Sequence, residues 1–198
     1  LQRISLPDEF ATLTGRDYPV SAKHAKSYLE NRGVTKEDIV RWKIGYCVRG
    51  AYEGRIVVPS FDEEGYVNYF VARAYDNNWR KYMNPSLSKD MVFNHLYIDW
   101  SSDVVLTEGV FDAIKAGPNS IPLLGSTLRE NSKLFQEIVK NDAAIFVALD
   151  PDAEKKSLRM IKNLLTYGIE TYKIDVSGYE DVGEMTKEEF STRKDAAE

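Results

Sequence analysis

Residues 104–116, VVLTEGVFDAIKA, decide the fold class of this chain. Residues 104–107 are a short strand of buried character, and the Glu108-Gly109 turn leads directly into a helix. Residues 144–152, AIFVALDPD, repeat the arrangement of an apolar strand followed at once by acidic residues. Continuous apolar strands that alternate with helices indicate a parallel sheet covered on both faces. The sequence therefore predicts an α/β fold.

The remainder of the second half continues this alternation. The predicted elements are a strand at Ser120–Leu124, a helix that follows Gly125-Ser126-Thr127 and runs through Lys140, a helix from about Glu154 to Tyr167, and a strand at Thr171–Ile174. The acidic residues thus follow the carboxyl ends of strands, which is where open α/β sheets bind their ligands.

The first half of the chain has a different pattern. Ser21 is expected to cap a helix that ends at Arg32-Gly33, and Thr35 a second helix through Trp42. Arg55–Pro59 and Tyr66–Tyr75 are strand-like runs joined by a hairpin-type turn at residues 62–65. The sequence therefore predicts two domains, an α+β domain at residues 1–100 and a parallel-sheet domain at residues 101–198.

Composition limits the possible functions. The chain has 198 residues, a formal net charge of −5 and a pI of about 5.2, so it lacks the overall basic character typical of nucleic-acid binders, although a local basic groove remains possible. Cys47 is the only cysteine, which excludes an intrachain disulfide or a cysteine-based zinc site in this sequence and suits a cytoplasmic location. His24 and His95 are not spaced as a ligand pair. Neither a membrane span nor a signal peptide is expected, and the first residue, Leu1, suggests a processed chain or a fragment.

Three carboxylates are the candidate site. Glu108 follows one strand, and Asp150 and Asp152 follow another, where their spacing of two lets both point the same way. If the two strands are neighbours, the three like charges meet, and a cation among them would offset their repulsion. Hard oxygen ligands suit Mg²⁺ or Mn²⁺. The alternative is that these acids are helix caps, with Asp152 capping the helix that follows.

These residues resemble the Toprim family. Glu108-Gly109-Val110-Phe111-Asp112 is similar to the Toprim glutamate motif, Asp150-Pro151-Asp152 is similar to its DxD motif, and Gly125-Ser126 stands where Toprim primases carry a Gly-Thr loop. The resemblance implies a Rossmann-like parallel sheet. It also implies that Glu108, Asp150 and Asp152 are catalytic and bind two or more Mg²⁺ or Mn²⁺ ions.

The upstream half resembles bacterial and phage DNA primases in particular. Residues 25–46 are similar to the primase segment that reads roughly A-x-x-YL-x-x-RG, followed by GY, and residues 54–59, GRIVVP, resemble a primase strand. Ala72-Arg73 matches a primase Gly-Arg pair, and residues 81–85, KYMNP, match KYLNS. The resemblance covers about residues 22–190. It implies synthesis of RNA primers on single-stranded DNA from ribonucleoside triphosphates.

The resemblance also assigns roles to further residues. Asp112 and Asp181 would add metal contacts, and five residues would position template and nucleotide across a cleft from the metal site: Arg55, Arg73, Lys81, Tyr82 and Asn84. A replicative helicase and a zinc-binding module, on another segment or chain, are the implied partners. The implied setting is the cytoplasm of a bacterial cell or phage-infected host.

Several positions depart from the primase pattern. The usual DGD-x-AG reads DPDAEKK here, which places Lys155 and Lys156 near the acids. Asn94 replaces a common basic residue, whose charge Lys89 could supply, and Gly183 replaces the second acid of a late DPDE motif. Two other functions remain open: a Toprim nuclease that directs water at a phosphodiester, and a non-catalytic subunit that binds template or helicase. Neither a type IA topoisomerase nor a membrane protein fits the sequence.

Overall fold

A computed structural model describes residues 1–15 and 19–198 of the chain. The chain forms two compact units. The amino-terminal unit comprises residues 1–87 and 93–96, and the carboxy-terminal unit comprises residues 88–92 and 97–198. In the described residues, no helix is both long and apolar enough to cross a membrane.

The amino-terminal unit contains a four-stranded antiparallel sheet with strand order β1-β2-β3-β4. Its elements are β1 (Ala11–Thr12), α1 (Ala22–Asn31), α2 (Lys36–Arg41), β2 (Gly45–Cys47), β3 (Arg55–Phe61), β4 (Val67–Ala74) and a 3-10 helix (His95–Tyr97) that extends into the other unit. Gly45 is needed at the β1–β2 pairing because a Cβ there would lie 2.3 Å from the Phe10 ring and 2.4 Å from the Ala11 carbonyl oxygen.

The helix starts of this unit were predicted with mixed success. Thr35 caps α2 as expected, since its hydroxyl accepts a hydrogen bond from the Asp38 amide while the Asp38 carboxylate accepts one from the Thr35 amide. The prediction that Ser21 caps α1 was wrong, because its side chain makes no capping hydrogen bond and lies 3.4 Å from the Tyr46 hydroxyl instead. The hairpin of β3 and β4 forms where the sequence predicts it.

The carboxy-terminal unit contains a four-stranded parallel sheet with strand order β6-β5-β7-β8. Its elements are β5 (Val104–Thr107), α3 (Val110–Ala116), β6 (Ser120–Pro122), α4 (Lys133–Asn141), β7 (Ile145–Ala148), α5 (Glu154–Thr166), β8 (Thr171–Lys173) and α6 (Lys187–Asp195), with 3-10 helices at Pro151–Ala153 and Val182–Glu184. All four residues of β5 are buried, as in a strand covered on both faces. The α/β fold class is therefore confirmed.

The helix expected to follow Gly125-Ser126-Thr127 is shorter than the sequence suggests. Leu124 and Gly125 both have positive φ angles, of 56° and 78°, and α4 begins only at Lys133 behind the Ser132 cap. The Asp90 carboxylate accepts a further hydrogen bond from the Lys133 amide at 2.8 Å. Apolar periodicity alone does not reveal the positive φ angles at Leu124 and Gly125 or the start of α4 at Lys133.

Candidate functional site

The predicted acids lie at one edge of the parallel sheet because β5 and β7 are neighbours. Thr107 pairs with Ala148 at the ends of these strands, so Glu108 and Asp150 leave the sheet at the same edge. The Thr107 hydroxyl, which is fully buried, donates a hydrogen bond to the Gly109 carbonyl oxygen at 3.0 Å and fixes the turn behind Glu108. The sequence prediction required the two strands that precede the acids to be neighbours, and in the structure they are.

Glu108 and Asp150 each carry a buried oxygen with no hydrogen-bond partner. These atoms are Oε2 of Glu108 and Oδ1 of Asp150. Buried carboxylate oxygens are normally satisfied, and each exception needs an explanation, such as a missing ion. Two unpartnered anionic oxygens at one sheet edge provide the hard donors that Mg²⁺ or Mn²⁺ prefers.

The carboxyl group of Asp150 lies in an environment that opposes its charge. Burial, and then the negative charges of Asp112, Asp181, Glu108 and Asp152, raise its pKa from 3.8 to about 7. All the acids proposed from the sequence thus act electrostatically on this one group. A divalent cation would reverse the effect, since it favours the charged carboxylate.

Asp152 is exposed, and the helix-cap alternative does not describe it. Helix α5 has Ala153 at its N-cap position, and Asp150 makes no capping hydrogen bond to the 3-10 helix that follows it. Neither aspartate of the Asp150-Pro151-Asp152 turn is therefore used as a cap.

Asp112 and Asp181 have structural partners of their own. The buried Asp112 carboxylate accepts hydrogen bonds from the Gly109 amide at 3.0 Å and from the Gly183 amide at 2.8 Å. Asp181 accepts one from the Glu184 amide at 3.1 Å. A Cβ on Gly183 would lie 3.1 Å from an Asp181 oxygen and 3.2 Å from an Asp112 oxygen, so an acid at this position would crowd two carboxylates.

Lys156 occupies part of the acidic edge. Its Nζ lies 3.1 Å from Oε1 of Glu108, and both side chains are about a quarter exposed, at 24% and 25%. Lys155 is exposed and forms no salt bridge with Glu108 in the described residues, so only one of the two lysines noted in the sequence contacts the glutamate.

The carboxylate oxygens are ligands of the type that a divalent cation prefers, but their side chains do not converge on one ion position. In the parts of the chain that the structure describes, residues 1–15 and 19–198, no three His, Cys, Asp or Glu side chains are placed to hold one ion together. A cation bound at the unpartnered Oε2 of Glu108 would lie beside Lys156, whose positive charge opposes its binding. Cys47 cannot contribute, because it is buried and burial raises the pKa of its thiol to about 12.

A strained loop lies next to the acidic edge. The Leu124 amide donates to the Glu108 carbonyl oxygen at 2.9 Å, and the Leu124 carbonyl oxygen accepts from Lys89 Nζ at 2.8 Å. A positive φ is rare for leucine and is often found at functional sites. A cavity of about 260 Å³ lies beside this loop, and Lys89, Ser126, Thr127 and Arg129 are among its lining residues. Gly125-Ser126 was noted in the sequence as the position of a Gly-Thr loop, whereas the strain at Leu124 was not predicted.

The amino-terminal unit brings together most of the residues expected to contact template. Residues 81–83 pair with the end of β4, where the Ala74 amide donates to the Lys81 carbonyl and the Met83 amide to the Ala72 carbonyl. The Arg73 guanidinium lies 5.0 Å from the centre of the Tyr82 ring, and Asn84 accepts a hydrogen bond from the Ala72 amide.

An open pocket of about 620 Å³ in this unit combines cations with aromatic rings. Its lining includes His24, Tyr28, Arg73, Tyr75, Trp79 and Lys81. Trp79 is 91% exposed, which is unusual for so large an apolar side chain. The Arg73 Nε donates a hydrogen bond to the Tyr28 hydroxyl at 3.0 Å, which holds the guanidinium in place. Trp79 and Tyr28 were not predicted as functional residues from the sequence.

Arg55 and Asn94 are both buried and support the fold around them. Arg55 is 3% exposed, and its guanidinium donates to the carbonyl oxygens of Arg80 and Lys81, so it holds the segment that carries Lys81. Asn94 accepts a hydrogen bond from the Phe61 amide and donates from its own amide to the Ser60 hydroxyl.

Comparison with known proteins relates this chain to bacterial primases. The chain is 25% identical to the DNA primase of Thermotoga maritima over 214 aligned positions, which cover 85% of the chain and 38% of that protein. No protein-family model matches it.

Solved structures agree in fold. The zinc-binding and RNA polymerase domains of the Aquifex aeolicus primase match with a TM-score of 0.72 and 20% identity, over 89% of this chain and 56% of that one. A DnaG primase catalytic domain bound to single-stranded DNA matches with a TM-score of 0.73 and 19% identity, over 90% and 73%. A DNA primase domain from Pseudomonas aeruginosa matches with a TM-score of 0.74 and 17% identity, over 94% and 75%. The chain therefore has the fold of a primase catalytic core and spans about two fifths to about half the length of the first two relatives.

Proposed function

We propose that this chain is the catalytic core of a DNA primase, which makes short RNA primers on single-stranded DNA from ribonucleoside triphosphates. The observation that carries the proposal is a sheet edge, in a primase-like fold, where Glu108 and Asp150 each hold a buried oxygen without a partner. The sequence similarity to the Thermotoga maritima primase over 85% of the chain supports the same activity.

The acids of the carboxy-terminal unit would bind divalent cations in this proposal. Glu108, Asp150 and Asp152 are the proposed ligands and catalytic residues for two or more Mg²⁺ or Mn²⁺ ions. When bound, such ions favour the ionised 3′-hydroxyl and offset the charge that develops on the triphosphate. Asp112 and Asp181 would hold the 3-10 helix Val182–Glu184 against the edge and add negative charge there.

The amino-terminal unit would bind template and nucleotide phosphates. Arg73 and Lys81 supply two cations, and Tyr82 and Asn84 supply a ring and an amide beside them. Cations can hold phosphates, while an aromatic face can stack on a base. Arg55 would act through the loop that it supports, since its guanidinium is buried against two carbonyl oxygens.

The proposed partners follow from the relatives. Single-stranded DNA is the template, as the DnaG catalytic domain was solved with such a strand bound. A zinc-binding module and a replicative helicase are proposed to act with the core, and the Aquifex aeolicus primase includes a zinc-binding domain. The zinc module would help to select start sites, because phosphate contacts alone carry no sequence information.

One assay tests this function and its alternatives. The chain is incubated with single-stranded DNA, labelled ribonucleotides and Mg²⁺ or Mn²⁺, with Asp150→Asn as the inactive control. Short RNA made by the wild type and not by the variant is the expected result. Cleavage of the DNA without nucleotides would favour a Toprim nuclease, and binding without either reaction would favour a non-catalytic subunit.

A further inference from the structure

A groove along helix α5 of the carboxy-terminal unit concentrates positive charge in an acidic chain. This open groove, of about 780 Å³, is here called the α5 groove. Six polar residues of its lining are Thr127, Arg129, Asn131, Lys155, Arg159 and Asn163. The whole chain has a net charge of −5, so the positive charge of the α5 groove is opposite in sign to the net charge of the chain.

The three outer cations of the α5 groove are available to a ligand. Arg129, Lys155 and Arg159 are exposed and make no ion pair with any carboxylate in residues 1–15 and 19–198. The acid in the lining, Glu130, accepts a hydrogen bond from the Tyr167 hydroxyl at 3.0 Å. The fourth cation, Lys156, is held by Glu108 at the acidic edge. The exposed positive charges therefore outnumber the negative charge in the groove.

The cations form a row that starts near the acidic edge. Lys155, Arg159 and Asn163 follow one another at intervals of four residues, which place them on one face of α5 about 6 Å apart along its axis. Helix α5 begins two residues after Asp152, so the row runs from the proposed catalytic edge outwards. Regular spacing of cations and an amide suits a ligand with repeated negative charges.

The lining favours a strand backbone whose bases are already paired. Besides the cations, Glu130 and the apolar Leu128 and Met160, it offers hydroxyl and amide donors for phosphate oxygens, and none of its residues is aromatic. Proteins that hold unpaired bases combine cations with aromatic rings on which the bases stack. The pocket of the amino-terminal unit has such rings, and the α5 groove lacks them.

We propose that the α5 groove binds the phosphate backbone of the RNA–DNA duplex that forms as a primer is extended. This inference rests on the proposed function, because the duplex is the product of that reaction. Arg129, Lys155 and Arg159 would each neutralise about one phosphate, and Asn163 would donate a hydrogen bond farther along the strand.

The test measures binding of the full chain to a labelled RNA–DNA duplex by fluorescence anisotropy, in EDTA and without nucleotides, over a range of salt concentrations. Arg159→Gln should lower the slope of log affinity against log salt by about 0.9, and the triple Gln variant of the three cations should lower it by about 2.7. Affinity of the triple variant should fall at least tenfold at low salt. Lys162→Gln removes an exposed cation of the same helix that does not line the groove, and it should bind like the wild type. Unchanged melting temperatures would exclude misfolding.

The outcomes separate this inference from the proposed function. Unchanged duplex binding by the triple variant overturns the α5 groove even if the chain makes primers. An equal loss for single-stranded DNA overturns the duplex as its ligand, and a loss confined to a free ribonucleoside triphosphate overturns a strand ligand altogether. Loss of duplex binding by Arg159→Gln and not by Lys162→Gln supports the groove, even if the primer assay is negative, because the binding assay requires no synthesis.

Discussion

Asp150→Asn separates the metal role of the acidic edge from its effect on folding. Asparagine keeps the size of the side chain and removes the charge. In the structure, Asp150 has a buried oxygen without a hydrogen-bond partner, and four further carboxylates act on it. The variant should lose primer synthesis by orders of magnitude. The metal-free variant should at the same time be more stable than the wild type at neutral pH.

The size of the stability gain follows from the pKa of Asp150. A rise from 3.8 to about 7 corresponds to at most about 4 kcal/mol. Because the side chain is only partly buried, solvent screens the interaction, and about 1–2 kcal/mol is the expected gain. The folded state holds the proton more tightly, so wild-type stability falls as the pH rises from about 4 to about 7. Below this window both states are protonated and the advantage of the variant disappears.

Thermal melts in EDTA between pH 4 and pH 8 measure this difference. At pH 8 the variant should melt about 2–8 °C higher, since 1 kcal/mol shifts a chain of this size by about 2–4 °C. Added Mg²⁺ should stabilise the wild type more and reduce the gap, because only the intact site gains binding energy. Glu63→Gln removes a carboxylate at an exposed turn position outside the acidic edge; it is the control and should change neither property. Equal melting of wild type and Asp150→Asn at pH 8, with equal responses to Mg²⁺, would refute the reasoning.

Three further experiments test other parts of the structure. Lys156→Met should tighten Mn²⁺ binding, measured by calorimetry, by roughly three- to tenfold, because it removes the cation that competes for Glu108. Lys155→Met is the control and should have a much smaller effect on Mn²⁺ affinity. Equal effects of the two variants would contradict the competition. Arg73→Ala and Lys81→Ala should each weaken binding of single-stranded DNA and lower its salt slope by about 0.7, as judged by quenching of the exposed tryptophan in the same pocket. Leu124→Gly should raise the free energy of unfolding by up to about 1 kcal/mol in urea denaturation, because glycine adopts a positive φ without strain. A lower free energy of unfolding would show that the packing of the leucine side chain contributes more than the backbone strain costs.

The sequence predicted the parallel sheet well because its signals are local. The runs at 104–107 and 144–149 are continuous and apolar, and each is followed directly by an acid, so strand and turn could be located within a residue or two. Chain order alone does not place β5 beside β7, and the structure supplies that fact. The short strands β1 and β2 and helix α6 were not predicted, because two- and three-residue strands and a helix with one buried residue give little periodic signal.

The parts of the site that escaped prediction depend on contacts between distant residues. Asp112 and Gly183 are 71 positions apart, and a Cβ at position 183 would crowd the oxygens of Asp112 and Asp181, which disfavours an acid there. Arg55 was expected at a phosphate, yet its guanidinium faces two carbonyl oxygens 25 and 26 positions away. Motif similarity assigns a residue to a family position, but it does not show which partner already occupies the side chain.

The two departures from the primase pattern at the acidic edge act in the same electrostatic direction. Five carboxylates influence this edge, and a folded chain without metal must tolerate their repulsion. Gly183 leaves out an acidic side chain whose Cβ would lie 3.1 Å from an Asp181 oxygen and 3.2 Å from an Asp112 oxygen, closer than ordinary van der Waals contact, and its amide donates to Asp112. Lys156 adds a positive charge against Glu108. Both features lower the negative charge that the edge must hold before a cation binds. Since a cation bound at Glu108 repels Lys156 and weakens this ion pair, the stability that the pair gives the metal-free chain is subtracted from the affinity for the metal.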